Sequence, residues 1–151
     1  MTLTEIVQQV DDFSNAHGVR LTVKRKMVMV ALIRVGKAVS AYELIEYCKK
    51  HDGVTLPAIS VYRILAFLQS HHMVHKLDLA NKFVACSHLS CGHHHQTSQF
   101  LICTDCNKVE EIEVATETIT SLQSSINKAG FTLASQQLEM HGVCIECSPK
   151  I

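Results

Sequence analysis

The chain has 151 residues, 14 Lys/Arg balanced by 14 Asp/Glu, and an apolar fraction of 47%, enough to fill a core in one large or two small domains. No stretch approaches the roughly 20 consecutive apolar residues of a membrane span, and the opening Met-Thr-Leu-Thr-Glu-Ile-Val lacks the basic region and apolar run of a secretory signal. A cytoplasmic protein without a membrane partner is expected, and in a reducing compartment its seven cysteines argue for metal rather than disulfides.

Residues 3–16 come first, with Leu3, Ile6, Val7, Val10 and Phe13 at helical spacing. Thr22 caps a second helix running to Val35, which Gly36 ends. Ser40 followed by Glu43 is a capping box for a third helix over 41–50, with Leu44, Ile45 and Cys48 inward and Cys48 expected as a buried core thiol. A turn at Asp52, Gly53 and Pro57 leads into a fourth helix over 58–71, whose core face is Val61, Ile64, Leu65 and Leu68. Two alternating segments, 73–77 and 82–85, flank Asp78 to Asn81 and predict a hairpin. Helices followed by a hairpin are the order of a winged helix-turn-helix, with the fourth helix as the recognition helix.

The net balance hides an asymmetry. Residues 1–85 carry 11 Lys/Arg against 7 Asp/Glu, and residues 86–151 carry 3 against 7. The basic segment holds Arg20, Lys24, Arg25, Lys26, Arg34 and Lys37 without an acid. A basic half joined to an acidic one suggests a nucleic-acid reader attached to a sensor or assembly domain. On the fourth helix Arg63 suits a guanine edge or a phosphate, and Tyr62 suits thymine or sugar. Tyr62 also fits a half-buried core aromatic. Ser60, Lys24 and Arg25 complete the nearby candidate DNA contacts.

Residues 86–99 form a polar linker rich in His and Cys, and beyond it the pattern becomes α/β. Phe100 to Ile102 predicts a strand, Val109 to Val114 a second, and Thr116 to Ala129 a helix with Ile119, Leu122 and Ile126 inward. Phe131 to His141 predicts a last strand. The domains expected are therefore 1–85, a hinge at 86–99, and 100–151, an α+β chain overall. The last domain is too small to bury its own sheet well, so a homodimer is expected.

Two C-x-x-C pairs, Cys103-Thr-Asp-Cys106 and Cys144-Ile-Glu-Cys147, have the spacing that lets both sulfurs of a knuckle face one ion. Two such knuckles complete the tetrahedron of a structural zinc site. The further potential ligands are His75, Cys86, His88, Cys91, His93, His94, His95 and Glu111. A closed second site can be drawn from His75, Cys86, one linker histidine and Glu111, and a thiolate in it suits zinc better than iron(II) or manganese(II). Against this, His75 fits a wing surface residue, Glu111 a solvated strand acid, and the triple His a metal-scavenging tract. A thiol redox switch using Cys86 and Cys91 is the second possibility. A zinc hydrolase with Glu111 as base is the third, although no His-Glu-x-x-His pattern or small-molecule substrate pocket is legible.

The chain resembles the ferric uptake regulator family of bacterial metal-dependent repressors. The resemblance rests on Arg20-Leu-Thr-x-x-Arg25, Ser40-Ala-Tyr-Glu-Leu44, Val61-Tyr-Arg63, Cys103-x-x-Cys106 and His141-Gly-Val-Cys144-x-x-Cys147. Ser40-Ala-Tyr42, Val74-His-Lys76, Cys86 and Thr97-Ser-Gln-Phe100 resemble its zinc-sensing branch more than its iron, manganese or peroxide-sensing siblings. The resemblance implies structural zinc on Cys103, Cys106, Cys144 and Cys147. It implies regulatory zinc on His75, Cys86, Glu111 and a linker histidine, hence two zinc ions per subunit. It further implies DNA contacts by Tyr42, Tyr62 and Arg63, in a dimeric repressor of zinc uptake genes acting on double-stranded operator DNA. Two positions depart from the pattern. Val23 stands where the family has proline at the start of the second helix. Gln96 stands where the linker histidine is expected, leaving His95 as the nearest substitute, His93 as the alternative and Cys91 as a competitor.

Overall fold

The computed structural model describes residues 1–78, 80–87, 89, 98–134 and 137–149. The chain falls into two compact units, Met1–His93 and His94–Ile151.

The first unit contains α1 (Leu3–Ala16), α2 (Val23–Val35), α3 (Ala41–Asp52), α4 (Ala58–Ser70) and the strands β1 (Val74–Leu77) and β2 (Lys82–Ala85). Local chemistry sets the helix ends. Thr22 accepts the Arg25 N–H at 3.3 Å, so a side-chain cap starts α2 where Val23 replaces the expected proline. Ser40 and Glu43 form the expected capping box on α3. Gly36 and Gly53 end α2 and α3 in the left-handed conformation, at φ 67° and 65°, which costs glycine nothing. Thr2 and Glu5 cap α1 in the same reciprocal way, a device spelled out in the Thr-x-x-Glu sequence but absent from the expectations above.

α2 is the hub of this unit. Val28, Met29, Val30, Ala31 and Leu32 are all buried, five consecutive residues and thus every side of the helix. α1, α3, α4 and β2 pack around it. Val10, Leu44, Cys48, Val61, Leu65 and Leu68 are among the residues that join it in the core, each about 1% exposed or less. Cys48 is the expected core thiol, and burial, reinforced by the Asp52 carboxylate, raises its pKa. β1 and β2 pair antiparallel, Val74 opposite Ala85 and Leu77 opposite Lys82. Val39 and Phe83 exchange backbone bonds of 3.0 and 2.7 Å, tying the segment before α3 to this wing. Lys82 Nζ lies 3.6 Å from Glu43, a second tie. The product is a winged helix. Leu89, in the segment taken above as a polar linker, is buried in the core of this unit.

The second unit contains β3 (Ser98–Cys103), β4 (Val109–Glu113), α5 (Thr116–Lys128) and β5 (Leu138–Gly142). β3 is the middle strand of the order β4-β3-β5, antiparallel to β4 and parallel to β5. Three expectations need correction here. β3 begins at Ser98, two residues before the predicted Phe100. β5 starts at Leu138, not Phe131, whose side chain is 70% exposed. Its start is set by the buried Gln99, whose Oε1 accepts the Leu138 N–H at 2.7 Å. Nor is the apolar face of α5 buried, since none of its residues is. Ile119 and Ile126 are half-covered and Leu122 is exposed. Among the described residues of this unit, the buried side chains are Gln99, Phe100, Ile102 and Cys103. Among the described residues no helix is long and apolar enough to cross a membrane.

Candidate metal centre and nucleic-acid interface

The two knuckles meet because β3 and β5 run parallel and end side by side, Cys103 opposite Gly142. The first knuckle folds back on itself. Cys103 N donates to Lys108 O at 2.9 Å and Asn107 N to Cys103 O at 3.0 Å, with Asn107 in the left-handed region at φ 61°. Thr104 N donates to Gly142 O at 2.9 Å and docks this turn on the end of β5. Cys147 N and Ser148 N both donate to Cys144 O, at 3.0 and 2.7 Å, and close the second knuckle.

The sulfurs of Cys103, Cys106, Cys144 and Cys147 all lie within 4.8 Å of one another. Cys106 Sγ and Cys144 Sγ are 3.7 Å apart. A disulfide needs about 2.05 Å, whereas sulfurs about 2.3 Å from a tetrahedral zinc sit about 3.8 Å from each other. The spacing is that of a shared ion. Backbone N–H groups of Cys106 and Cys144 donate to Cys103 Sγ and hold its thiol down at about 6, the Cys144 contact measuring 3.4 Å. Cys147 faces Cys144, Cys106 and Cys103 and is pushed strongly up. The Lys108 N–H is the strongest single influence on Cys106 and lowers it, but the Cys103 side chain, burial and the Cys144 side chain together outweigh it, so Cys106 also rises. One thiolate in the cluster opposes ionisation of the others, and a divalent cation lifts that opposition. Four thiols so placed fit a closed, structural zinc site.

Lys108 braces the centre from outside. Its Nζ lies 3.5 Å from Glu146, inside the second knuckle, and 3.6 Å from Glu110 on β4. Both carboxylates raise the Lys108 pKa, Glu146 most. Sequence reasoning missed this residue, although its place two beyond Cys106 in an acidic unit was a legible signal.

In the first unit the hairpin register sets His75 opposite Val84. Cys86 N donates to Met73 O at 2.9 Å, which extends the ladder one residue beyond β2. Ligand atoms of His75 and Cys86 lie within 4.8 Å of each other, and Cys86 is buried. An imidazole and a thiol at that separation can share one tetrahedral ion. Glu111 lies on β4 opposite Phe100. His95, His93 and Cys91 lie outside the described residues.

The candidate DNA contacts separate into two groups. Tyr42 on α3 and Tyr62 on α4 are exposed and meet edge to face, ring centroids 6.4 Å apart. Arg63 and Lys24 are exposed and Ser60 is half-buried. Arg25 instead stacks its guanidinium 3.6 Å over the Phe67 ring and donates to Arg20 O at 3.4 Å, joining α2 to α4. Lys26 pairs with Asp11 at 2.7 Å and Arg34 with Asp52 at 3.5 Å. Of the six cations in the basic segment, Arg20, Lys24 and Lys37 are the fully exposed ones.

A winged helix carrying exposed tyrosines and an arginine on its recognition helix, followed by a small α/β unit closed by four thiols, defines a metal-binding regulator of the DNA-binding class. The Ferric uptake regulator family matches residues 16–141, and the chain belongs to that family. It is 33% identical over 146 residues to the zinc uptake regulation protein of Escherichia coli K12, covering 97% of this chain and 83% of the relative. A zinc uptake regulator complexed with zinc and DNA superposes with a TM-score of 0.78 at 31% identity, covering 97% of this chain and 95% of the other. Holo XcZur gives 0.74 at 34% identity, covering 95% and 96%.

Proposed function

We propose that this chain is a cytoplasmic, homodimeric, zinc-responsive repressor of zinc uptake genes, a regulator and not an enzyme, that binds operator DNA when zinc-loaded. The observation that carries the zinc assignment is the His75–Cys86 pair at the base of the wing. A thiolate selects the softer zinc over iron(II) or manganese(II), and the 33% identity to a zinc uptake regulation protein points the same way.

Each subunit holds two zinc ions in this reading. Cys103, Cys106, Cys144 and Cys147 hold the structural one. His75 and Cys86, with Glu111 and His95 (His93 as the alternative), hold the regulatory one. Bound there, zinc supplies a crosslink between the DNA-binding unit and the dimerising unit. The residues do the rest. Tyr42, Tyr62, Arg63 and Ser60 face the bases and Lys24 faces the backbone, while Arg25, stacked on Phe67, ties α2 to the recognition helix. The crosslink fixes the distance and angle between the two recognition helices of a dimer, which must match half-sites on one face of the duplex. Shifting such a switch from 1:99 to 99:1 takes about 5.5 kcal/mol. Closed zinc sites reach about 10–16 kcal/mol, so one ion per subunit suffices.

A graded chelator titration with zinc content and DNA binding followed together tests this. One zinc per subunit leaves first and takes DNA binding with it, and the second stays until the second unit unfolds. Cys86→Ser retains one zinc and the fold but loses zinc-dependent DNA binding. A Cys86→Ser protein that still binds DNA in a fully zinc-dependent way overturns the regulatory site.

A further inference from the structure

Resting on the DNA-binding reading above, we propose that Ile59 is a specificity-determining residue that reads the 5-methyl group of a thymine in the major groove. The large apolar side chains exposed on the first unit are few, and their placement is not random. Among the described residues, apart from Met1 and Leu3 near the chain start, they are Val23, Tyr42, Ile59 and Tyr62. Val23 is the first residue of α2, Tyr42 the second of α3 and Ile59 the second of α4, while Tyr62 lies one turn further along α4. All four therefore sit at the N-terminal ends of the helices that build the helix-turn-helix, the ends that approach DNA in this fold.

Ile59 is the most exposed of the two on the recognition helix, at 62% against 41% for Tyr62. It is three residues before Tyr62 and four before Arg63, so the three share one helical face. The opposite face is fixed inward by Val61, Ile64, Leu65 and Leu68, all buried. α4 therefore cannot rotate to hide Ile59 without expelling its core. Pro57 is the N-cap of α4 and makes no side-chain cap bond, so the cap position itself puts no hydroxyl or carboxylate beside Ile59. The outward face thus carries an aliphatic branch, a phenol and a guanidinium in one turn. A thymine offers a methyl group to the first, and a guanine or a phosphate offers acceptors to the last. Lys24, exposed in the first turn of α2, supplies the charge that seats such a face on a phosphate backbone.

The test uses the zinc-loaded full chain and a randomised duplex library. The wild type selects its preferred duplex, and each thymine of that duplex is then replaced singly by deoxyuridine, which removes one methyl and nothing else. Binding of wild type and Ile59→Ala is measured on every duplex. At one thymine per half-site deoxyuridine is expected to weaken the wild type about fourfold, the worth of one buried methyl. Ile59→Ala is expected to start weaker on the thymine duplex and lose nothing further at that position. Ile59 is exposed, so an unchanged unfolding midpoint certifies that the variant is folded. Equal losses in wild type and Ile59→Ala at every thymine, or a preferred duplex with no thymine in the half-site, overturns the inference and leaves the DNA-binding reading intact. A wild type that enriches no duplex in the presence of zinc overturns both.

Discussion

The two units of this chain are folded by different physics. In the first, α2 is surrounded on all sides and 23 buried residues form one cluster. Each fully buried aliphatic or aromatic side chain there contributes about 1.5–3 kcal/mol, and no metal is needed to hold it. In the second, no residue of α5 is buried and, among the described residues, four side chains are. Its sheet ends are gathered by four sulfurs and a set of backbone bonds. A domain with so little core is stabilised by what it binds, whether an ion or another copy. The difference puts the self-sufficient scaffold in one half of the chain and, on the proposed zinc reading, the dependence of folding on metal in the other.

The most drastic way to break that contrast is Cys103→Ser. It removes a ligand from a centre that in comparable sites is worth about 10–16 kcal/mol. The second unit is expected to unfold and the dimer to dissociate, while the first unit keeps its protection from hydrogen exchange. Simultaneous loss of protection in both units sinks the distinction. The reciprocal change is Leu65→Ala, fully buried on α4. Truncation there is expected to cost about 2–5 kcal/mol, read as a lower denaturation midpoint of the first unit with zinc retention by the knuckles unchanged. The smallest effect belongs to Lys108→Met. The Lys108–Glu146 contact is exposed and screened by solvent, so the loss is small. It is expected as a few-fold faster chelator-driven release of the structural zinc at low salt, a difference that fades as salt is added. A release rate indifferent to both the substitution and salt removes Lys108 from the bracing role.

The elements of the first unit were largely legible in the sequence because they are punctuated locally. Thr22, Ser40-x-x-Glu43, Gly36 and Gly53 each act within one turn, and a local cap needs no knowledge of the fold. The Cys-x-x-Cys pairs were legible for the same reason: the geometry of a knuckle is set within its own few residues. What failed was non-local. The period of Ile119, Leu122 and Ile126 marks a face, but burial needs a counterpart that one chain of this unit does not provide. The onset of β5 depends on the side chain of Gln99, 39 residues away. The basic segment announced six cations but not that Arg25, Lys26 and Arg34 would be spent on Phe67, Asp11 and Asp52. A count of charges does not reveal their partners.

The parallel pairing of β3 with β5 has a consequence in time. Cys106 and Cys144 are 38 residues apart in sequence, with β4 and all of α5 between them. A ribosome adding roughly 5–20 residues per second needs about 2–8 s to cover that interval. Throughout it the first knuckle exists as an open dithiol on a nascent chain, with neither the second pair of sulfurs nor the strand that positions them yet made. Any ion it meets is held by half a site and exchanges freely. Durable metal capture waits for the second knuckle, so the newborn chain samples the free metal pool before it closes on one ion.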